Sequence, residues 1–224
     1  MHRLESSILP VDIKSSPTLR RVSHPESHRL IGGSLCLDFA NTVNGHGDLP
    51  LNEYLCDYRD LVLWSRHAGL LDESQARSLL LEAEQHFDAA AGAYRKAIGL
   101  RELIYRIFSC ITSGNSPDSK DLDSLCLLRL EVLRHSRLKG HGIGFKWIWE
   151  YGPSLDRMLW PVIITSFDLL TSIEIGHVKK CSGEHCDWLF VDGSRNHLRR
   201  WCSMDACGNR FKMRRRYSRR TKVD

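Results

Sequence analysis

Four cysteines toward the C-terminal end of this 224-residue chain are the residues best arranged to do chemistry. Cys181 and Cys186 are separated by four residues, Cys202 and Cys207 by four more, and the fifteen residues between the pairs include a strand-like DWLFV and a polar turn. Two short loops can each present two thiolates, and the connecting segment is long enough for a hairpin that brings the pairs together tetrahedrally, as a closed zinc site requires. Four sulfur ligands leave no open coordination position, so one Zn2+ bound here would hold the fold rather than perform chemistry. Disulfides need an oxidising compartment, to which no secretory segment points. Neither pair has the two-residue gap of a redox-active dithiol. His185 and His197 lie close enough in sequence to replace a cysteine, but with four thiolates present both are expected outside the coordination sphere.

The elements around the cysteines are strongly cationic. Residues 195–224 carry eleven Arg and Lys against two Asp, a charge of +9, so the rest of the chain carries −4 of the net +5. A mildly acidic body with a densely basic tail points to a polyanion, most commonly nucleic acid, and a basic helix that can lie in a major groove makes double-stranded DNA the leading expectation. The tail has few large apolar residues to insert in a membrane surface. Ser203 can cap a helix that holds Cys207 in its early turns and continues through FKMRRRYSRR, so the metal would fix one end of a basic helix. Arg210 and Arg214 share a face of it, and Arg215, Arg216 and Arg219 extend the charge. Arg195, Arg199 and Arg200 are expected to add phosphate contacts from the loop. Trp201, Phe211 and Tyr217 are expected to pack the finger, and Asn209 to hold the turn beside Gly208. One such module offers little contact area, which predicts a homodimer formed through the preceding domain.

The run WCSMDACGNR, preceded by CSGEHCDWLFVD and followed by arginines, resembles the CGNR zinc-finger family, whose tetrapeptide stands here as Cys207, Gly208, Asn209 and Arg210. In bacterial proteins of that kind the finger follows a helical domain known as ABATE. The pair is described as a stress-induced transcription regulator, and some descriptions suggest RNA binding instead. LCLDFANTV, residues 35–43, resembles the opening motif of that domain, and LRELIYRIF, residues 100–108, a later one. The resemblance covers residues 29–220.

The body that must position this tail reads as mainly α: a flexible arm over residues 1–28, a helical domain over 29–172, and the finger, a short hairpin plus basic helix, over 173–224. Ser34 can cap a helix presenting Leu35, Phe39 and Val43. Asp57 can cap one presenting Leu61, Trp64 and Ala68 that Gly69 closes, and Asp72 with Gln75 makes a capping-box variant. AAAGAYRKAIGLRELIYRIFSCI predicts a central helix ended by Gly114 and Asn115. LDSLCLLRLEVLRHSRL predicts another that runs to Gly140. HGIGFKWIWEY alternates, which predicts a half-buried strand whose Phe145, Trp147 and Trp149 belong to the core, with a base-stacking surface as the alternative. Pro153 is expected to open a last helix, kinked at Trp160 and Pro161. Cys36, Cys56, Cys110 and Cys126 are expected as buried apolar residues. Asp38, Asn41 and His46 can line a ligand pocket, or Asp38 and Asn41 can bond to backbone or to Arg101 or Arg106.

No apolar run is long enough to span a bilayer and no signal peptide is recognisable, which predicts a cytoplasmic protein. No nucleophile-elbow, phosphate-loop, HExxH or dinucleotide fingerprint occurs, so no enzyme is expected. The leading reading is a zinc-dependent DNA-binding regulator whose helical domain senses a ligand or partner. The alternatives are an RNA-binding protein, or a helical interaction or enzymatic domain carrying a structural zinc knob.

Overall fold

The computed structural model describes residues 20–21, 24–46, 52–150 and 154–220. A small sheet opens the described chain: β1 (Arg20–Arg21), β2 (Val43–Asn44) and β3 (Asn52–Glu53), in the order β1-β3-β2, with β1 parallel and β2 antiparallel to β3. The arm expected over residues 1–28 lies largely outside the described residues, but its end departs from the expectation. Pro25–Ser27 form a 3-10 turn, and His28 is buried in the body.

Short-range chemistry sets most of the helices. α1 (Leu35–Ala40) is buried from Cys36 to Ala40, and it ends before Val43, which opens β2 instead of continuing the expected helical face. Ser34 occupies the N-cap position, yet its hydroxyl lies 3.3 Å from the Cys36 thiol rather than on a helix N–H. α2 (Tyr58–His67) is capped by Asp57, which accepts from the Asp60 N–H at 2.9 Å, and closes at Gly69 with φ +74°. α3 (Glu73–Gln85) starts with the reciprocal capping box of Asp72 and Gln75, satisfying two N–H groups that a bare helix end leaves without partners. α4 (Phe87–Thr112) is the expected central helix, 26 residues or about 39 Å long. Its buried Ala97, Ile98, Leu100, Ile104 and Ile107 serve neighbours on several sides, and it contacts α1, α2 and α3.

The largest departure from expectation follows. α5 (Ser119–Leu133) stops at Leu133, not at Gly140, and β4 (Ser136–His141) pairs antiparallel with β5 (Gly144–Trp149). The alternation read in HGIGFKWIWEY begins earlier, at Ser136, because the HGIG turn, with Gly142 at φ +60°, needs a strand on both sides. Phe145 and Trp147 are exposed, not core; only the Trp149 end of the strand packs against the body, toward Trp160 at 6.1 Å between ring centroids. Pro153 lies outside the described residues. Residues 155–158 are turns, and α6 (Leu159–Leu170) begins at Leu159, so Pro161 sits in a first turn that needs no N–H and does not kink a longer helix. Of the four single cysteines only Cys36 is buried; Cys56 and Cys110 are half-buried and Cys126 is exposed. α1 packs between α4 and α6, which makes the LCLDFANTV stretch the middle of the body.

Candidate metal centre and basic helix

β6 (Val178–Lys180) and β7 (Leu189–Val191) form the finger's hairpin, and the first cysteine pair occupies its turn rather than the hairpin lying between the pairs. The Cys181 N–H donates to Trp188 O at 2.9 Å and the Cys186 N–H to Gly183 O at 3.0 Å, folding CSGEHC back on itself. Gly183 is where the second pair approaches: a Cβ there would stand 3.0 Å from Cys207 Sγ and 3.2 Å from Cys186 Cβ. Ser203 caps a π turn, Met204–Gly208, by accepting from the Ala206 N–H at 3.4 Å, and that turn carries Cys207 directly into α7 (Asn209–Arg220).

The four sulfurs lie within 4.8 Å of one another and all four cysteines are buried. Cys202 Sγ stands 3.6 Å from both Cys186 Sγ and Cys207 Sγ. A zinc tetrahedron with Zn–S of about 2.3 Å has S···S edges of about 3.8 Å, so the donor set fits one zinc ion. Cys181 Sγ accepts from the Gly183 N–H at 3.4 Å and the Cys202 N–H at 3.2 Å, and the Arg210 guanidinium stands 3.8 Å from Cys207 Sγ. Hydrogen bonds from Cys186 and Cys202 pull the Cys181 thiol far down, while bonding to Cys181 pushes Cys186 and Cys202 up. Zinc binds thiolates, so filling this site would release protons from the cysteines. His185 and His197 are exposed and stand outside this cluster.

The finger is bonded into the helical body rather than tethered to it. The Asn41 side chain, at the end of α1, donates to Leu189 O and accepts from the Leu189 N–H, each at 2.8 Å, so an amide takes the place of a neighbouring strand. The Trp188 indole donates to Val43 O at 3.1 Å, and the Val191 N–H donates to Gly32 O at 2.8 Å. Gly33, at φ +76°, leaves only 3.3 Å between a would-be Cβ and Val191 Cβ. Val178 and Leu189 join the main core, whereas Trp188 and Phe190 close over the cysteines.

His28 sits in this seam. Its Nδ1 accepts from the Trp64 indole at 3.1 Å, which leaves Nε2 to donate to Asn41 O at 3.0 Å, so the ring is neutral. Burial, aided by the charge of His67, lowers its pKa to about 4. The folded chain then binds fewer protons here than the unfolded chain, so stability falls as pH drops from about 6.5 toward 4, by of order 3 kcal/mol in all. An imidazole NMR titration should place the His28 midpoint near pH 4; a midpoint above 6 would contradict the buried neutral ring.

Of the two readings for Asp38 and Asn41, the geometry matches bonding to backbone. Asp38 accepts from the Gly32 N–H at 2.7 Å and is pushed up to about 6 by burial, Asn41 serves the seam, and neither meets an arginine. Arg101 pairs instead with the buried Glu53, at 2.6 and 2.9 Å, and Arg106 with Asp121. His46 bridges Glu102 at 3.0 Å and Ala40 O at 3.1 Å. A residue overlooked in the sequence is Asp192, whose fully buried carboxylate receives Lys179, the Ser194 hydroxyl and N–H, and the Arg199 N–H. Burial alone would raise its pKa, but those donors outweigh it and hold the group far below the ordinary carboxylate range. It shapes the loop that returns the chain to Cys202, and DWLFVDGS offered a turn signal for it.

The cations divide into two groups. Arg199 is taken up by the fold, donating to Trp201 O and Cys202 O and covering the Phe190 ring at 4.3 Å. Arg200 lies over Trp201 at 5.2 Å, and Arg195 is exposed in the loop. In α7, Arg210 turns to Cys207 and Arg214 to Glu184, while Phe211 packs on Trp201 at 4.9 Å. Asn209, Lys212, Met213, Arg215 and Arg216 line a shallow groove on the helix, and Tyr217 is 63% exposed. Arg219 lies in the last turn.

A helical body with a closed four-thiol centre bonded onto it, and a cationic helix leaving that centre, defines a zinc-finger protein whose finger is part of its domain. The family described as "Putative stress-induced transcription regulator", ABATE, matches residues 33–173, and the CGNR zinc finger matches residues 177–220. The chain belongs to the ABATE family and carries a CGNR zinc finger. Comparison with curated proteins gives no match. No helix among the described residues is long and apolar enough to cross a membrane.

Proposed function

We propose that this protein is a zinc-dependent, cytoplasmic regulator that binds double-stranded DNA through α7 and has no catalytic role. One observation carries the reading: α7 holds seven cations and no carboxylate, and it is exposed from Asn209 to Tyr217. A helix with that surface is not stabilised by packing, so its form depends on the anchor at its zinc end. Arg210, Arg214 and Phe211 attach it to the finger, which leaves Lys212, Arg215 and Arg216 for phosphates and base edges. A helix of this width suits the major groove of a duplex. One finger offers less area than specific recognition needs, so two chains share a site. Ligand sensing by the helical domain would use the cleft of about 410 Å³ beside α4, where Lys96, His86 and Asp156 are among the lining residues.

The test is fluorescence anisotropy of the zinc-loaded protein with duplex DNA and with matched single-stranded RNA across a salt series. Neutralising about six phosphates predicts a log–log slope on the order of −5. Replacing Lys212, Arg215 and Arg216 with alanine should reduce it to about −3 with the fold intact. An unchanged slope would remove α7 from the interface, and RNA preference would move the reading to the RNA class.

A further inference from the structure

α5 has two apolar faces. Leu125 and Val132 are buried against its neighbours α4 and α6. Leu122, Cys126, Leu130 and Leu133 recur at i, i+4, i+8 and i+11 along a different face, where Leu127 flanks them, and all five are exposed. Leu127 and Leu130 leave 65% and 60% of their surface in water. A core stripe would not be repeated on the solvent side of a helix that stays uncovered.

The hairpin that follows repeats the pattern. Its register places Ser136 with Trp149, Leu138 with Trp147, and Gly140 with Phe145 on one face. At the inner end Ser136 is buried and Trp149 packs against the core. The same face then leaves the body: Trp147 is 63% and Phe145 74% exposed, and Ile143 at the tip is fully exposed. A two-stranded hairpin is marginal by itself, and among the described residues β4 pairs with β5 alone.

We infer that the leucine line of α5 and the aromatic face of β4–β5 form one homodimer interface, covered by a second copy of this chain. The exposed area of these side chains is of the same order as the ~800 Å² that one partner contributes to a standard-size interface. The two surfaces are adjacent in the chain, joined by residues 134–135. A two-fold contact needs only a surface that complements itself, which an apolar helix face beside an apolar arm supplies. Arg137, Lys139 and Lys146 occupy the opposite face of the hairpin, so covering the aromatic face buries no cation. That separation argues against a single-stranded nucleic acid as the occupant, because base stacking needs the phosphate-binding cations beside the aromatic rings. The inference rests on two chains acting together, but not on which nucleic acid α7 binds.

Sedimentation velocity of the full-length, zinc-loaded protein without nucleic acid tests it. At micromolar concentration the mass should be twice 25.7 kDa. Leu130→Glu and Trp147→Ser should each return it to 25.7 kDa with unchanged far-UV circular dichroism, whereas Arg216→Ala should remain a dimer. Independently of the variants, amide exchange over residues 138–147 should slow as the wild-type protein is concentrated. A monomeric wild type with concentration-independent exchange would overturn the inference, as would a dimer that both substitutions leave intact; the latter would keep the dimer and discard this surface. A monomer whose tryptophan fluorescence is quenched by a single-stranded oligonucleotide would also overturn it and give the face to nucleic acid. Loss of duplex binding by a variant that remains dimeric would bear on α7 alone.

Discussion

Cys202→Ser is expected to lower zinc from one equivalent to near zero and to unfold the finger. Cys202 Sγ lies 3.6 Å from both Cys186 Sγ and Cys207 Sγ, and the Cys202 N–H donates to Cys181 Sγ. Serine shortens the reach and offers a far weaker zinc ligand, so the closed site opens. Structural zinc in small fingers supplies roughly 10 kcal/mol or more of folding free energy. Here the effect is felt first in α7, which contacts the rest of the molecule chiefly through the π turn that carries Cys207. Trypsin should then cut freely over residues 195–220, and duplex binding should vanish. The helical body should lose stability as well, because Val178 and Leu189 of the finger's hairpin belong to its core and Asn41 of α1 would lose both bonds to Leu189. A chelator should reproduce the variant in the wild-type protein. A Cys202→Ser protein that keeps a full zinc equivalent and its protease resistance would show that the four-thiol centre is not what holds the finger.

Asn41→Ala should cost about 2–6 kcal/mol. It leaves the Leu189 N–H and C=O buried without their partners, and each such group costs roughly 1–3 kcal/mol. Leu189 is fully buried and Asn41 equally so, which keeps water from replacing the amide. Asp at the same position should be no better, since it accepts from the N–H but sets a carboxylate beside the Leu189 carbonyl. Lys212→Ala, on the exposed surface of α7, should stay within about 0.5 kcal/mol and serves as the control. Urea unfolding followed by circular dichroism measures all three, and a loss below 1 kcal/mol for Asn41→Ala would mean the finger is not held to α1 through this amide. The change should also weaken zinc retention, because Leu189 belongs to the strand that follows the first cysteine pair.

The metal centre was written in the sequence because its chemistry is local. Two short cysteine spacings, a capping serine and a glycine in CSGEHC act over a few residues. The same holds for α2, α3 and α4, whose Asp57, Asp72 and Gly114 signals do not depend on the rest of the fold. The cations of the tail were equally plain as composition, but not as geometry. Which arginines are free depends on where Glu184, Phe190 and the Cys202 carbonyl come to lie, and only the folded finger assigns Arg199 and Arg214 to the structure and Lys212, Arg215 and Arg216 to the open face.

The strand β4 was misread as helix because LDSLCLLRLEVLRHSRL is rich in leucine on every side, so period alone could not place its end. The aromatic residues of β5 were assigned to the core because alternation says that one face is apolar, not whether anything covers it. What the sequence determined by itself is the zinc centre, the basic charge of α7 and the capped helices of the body, each fixed by interactions within a few residues. Tertiary structure alone decided that Asn41 joins β7 across 148 residues, that Arg101 belongs to Glu53 across 48, and that β5 leads out into solvent. Pairings at that separation are selected by the packing of whole elements, which leaves no periodic trace in the residues that make them.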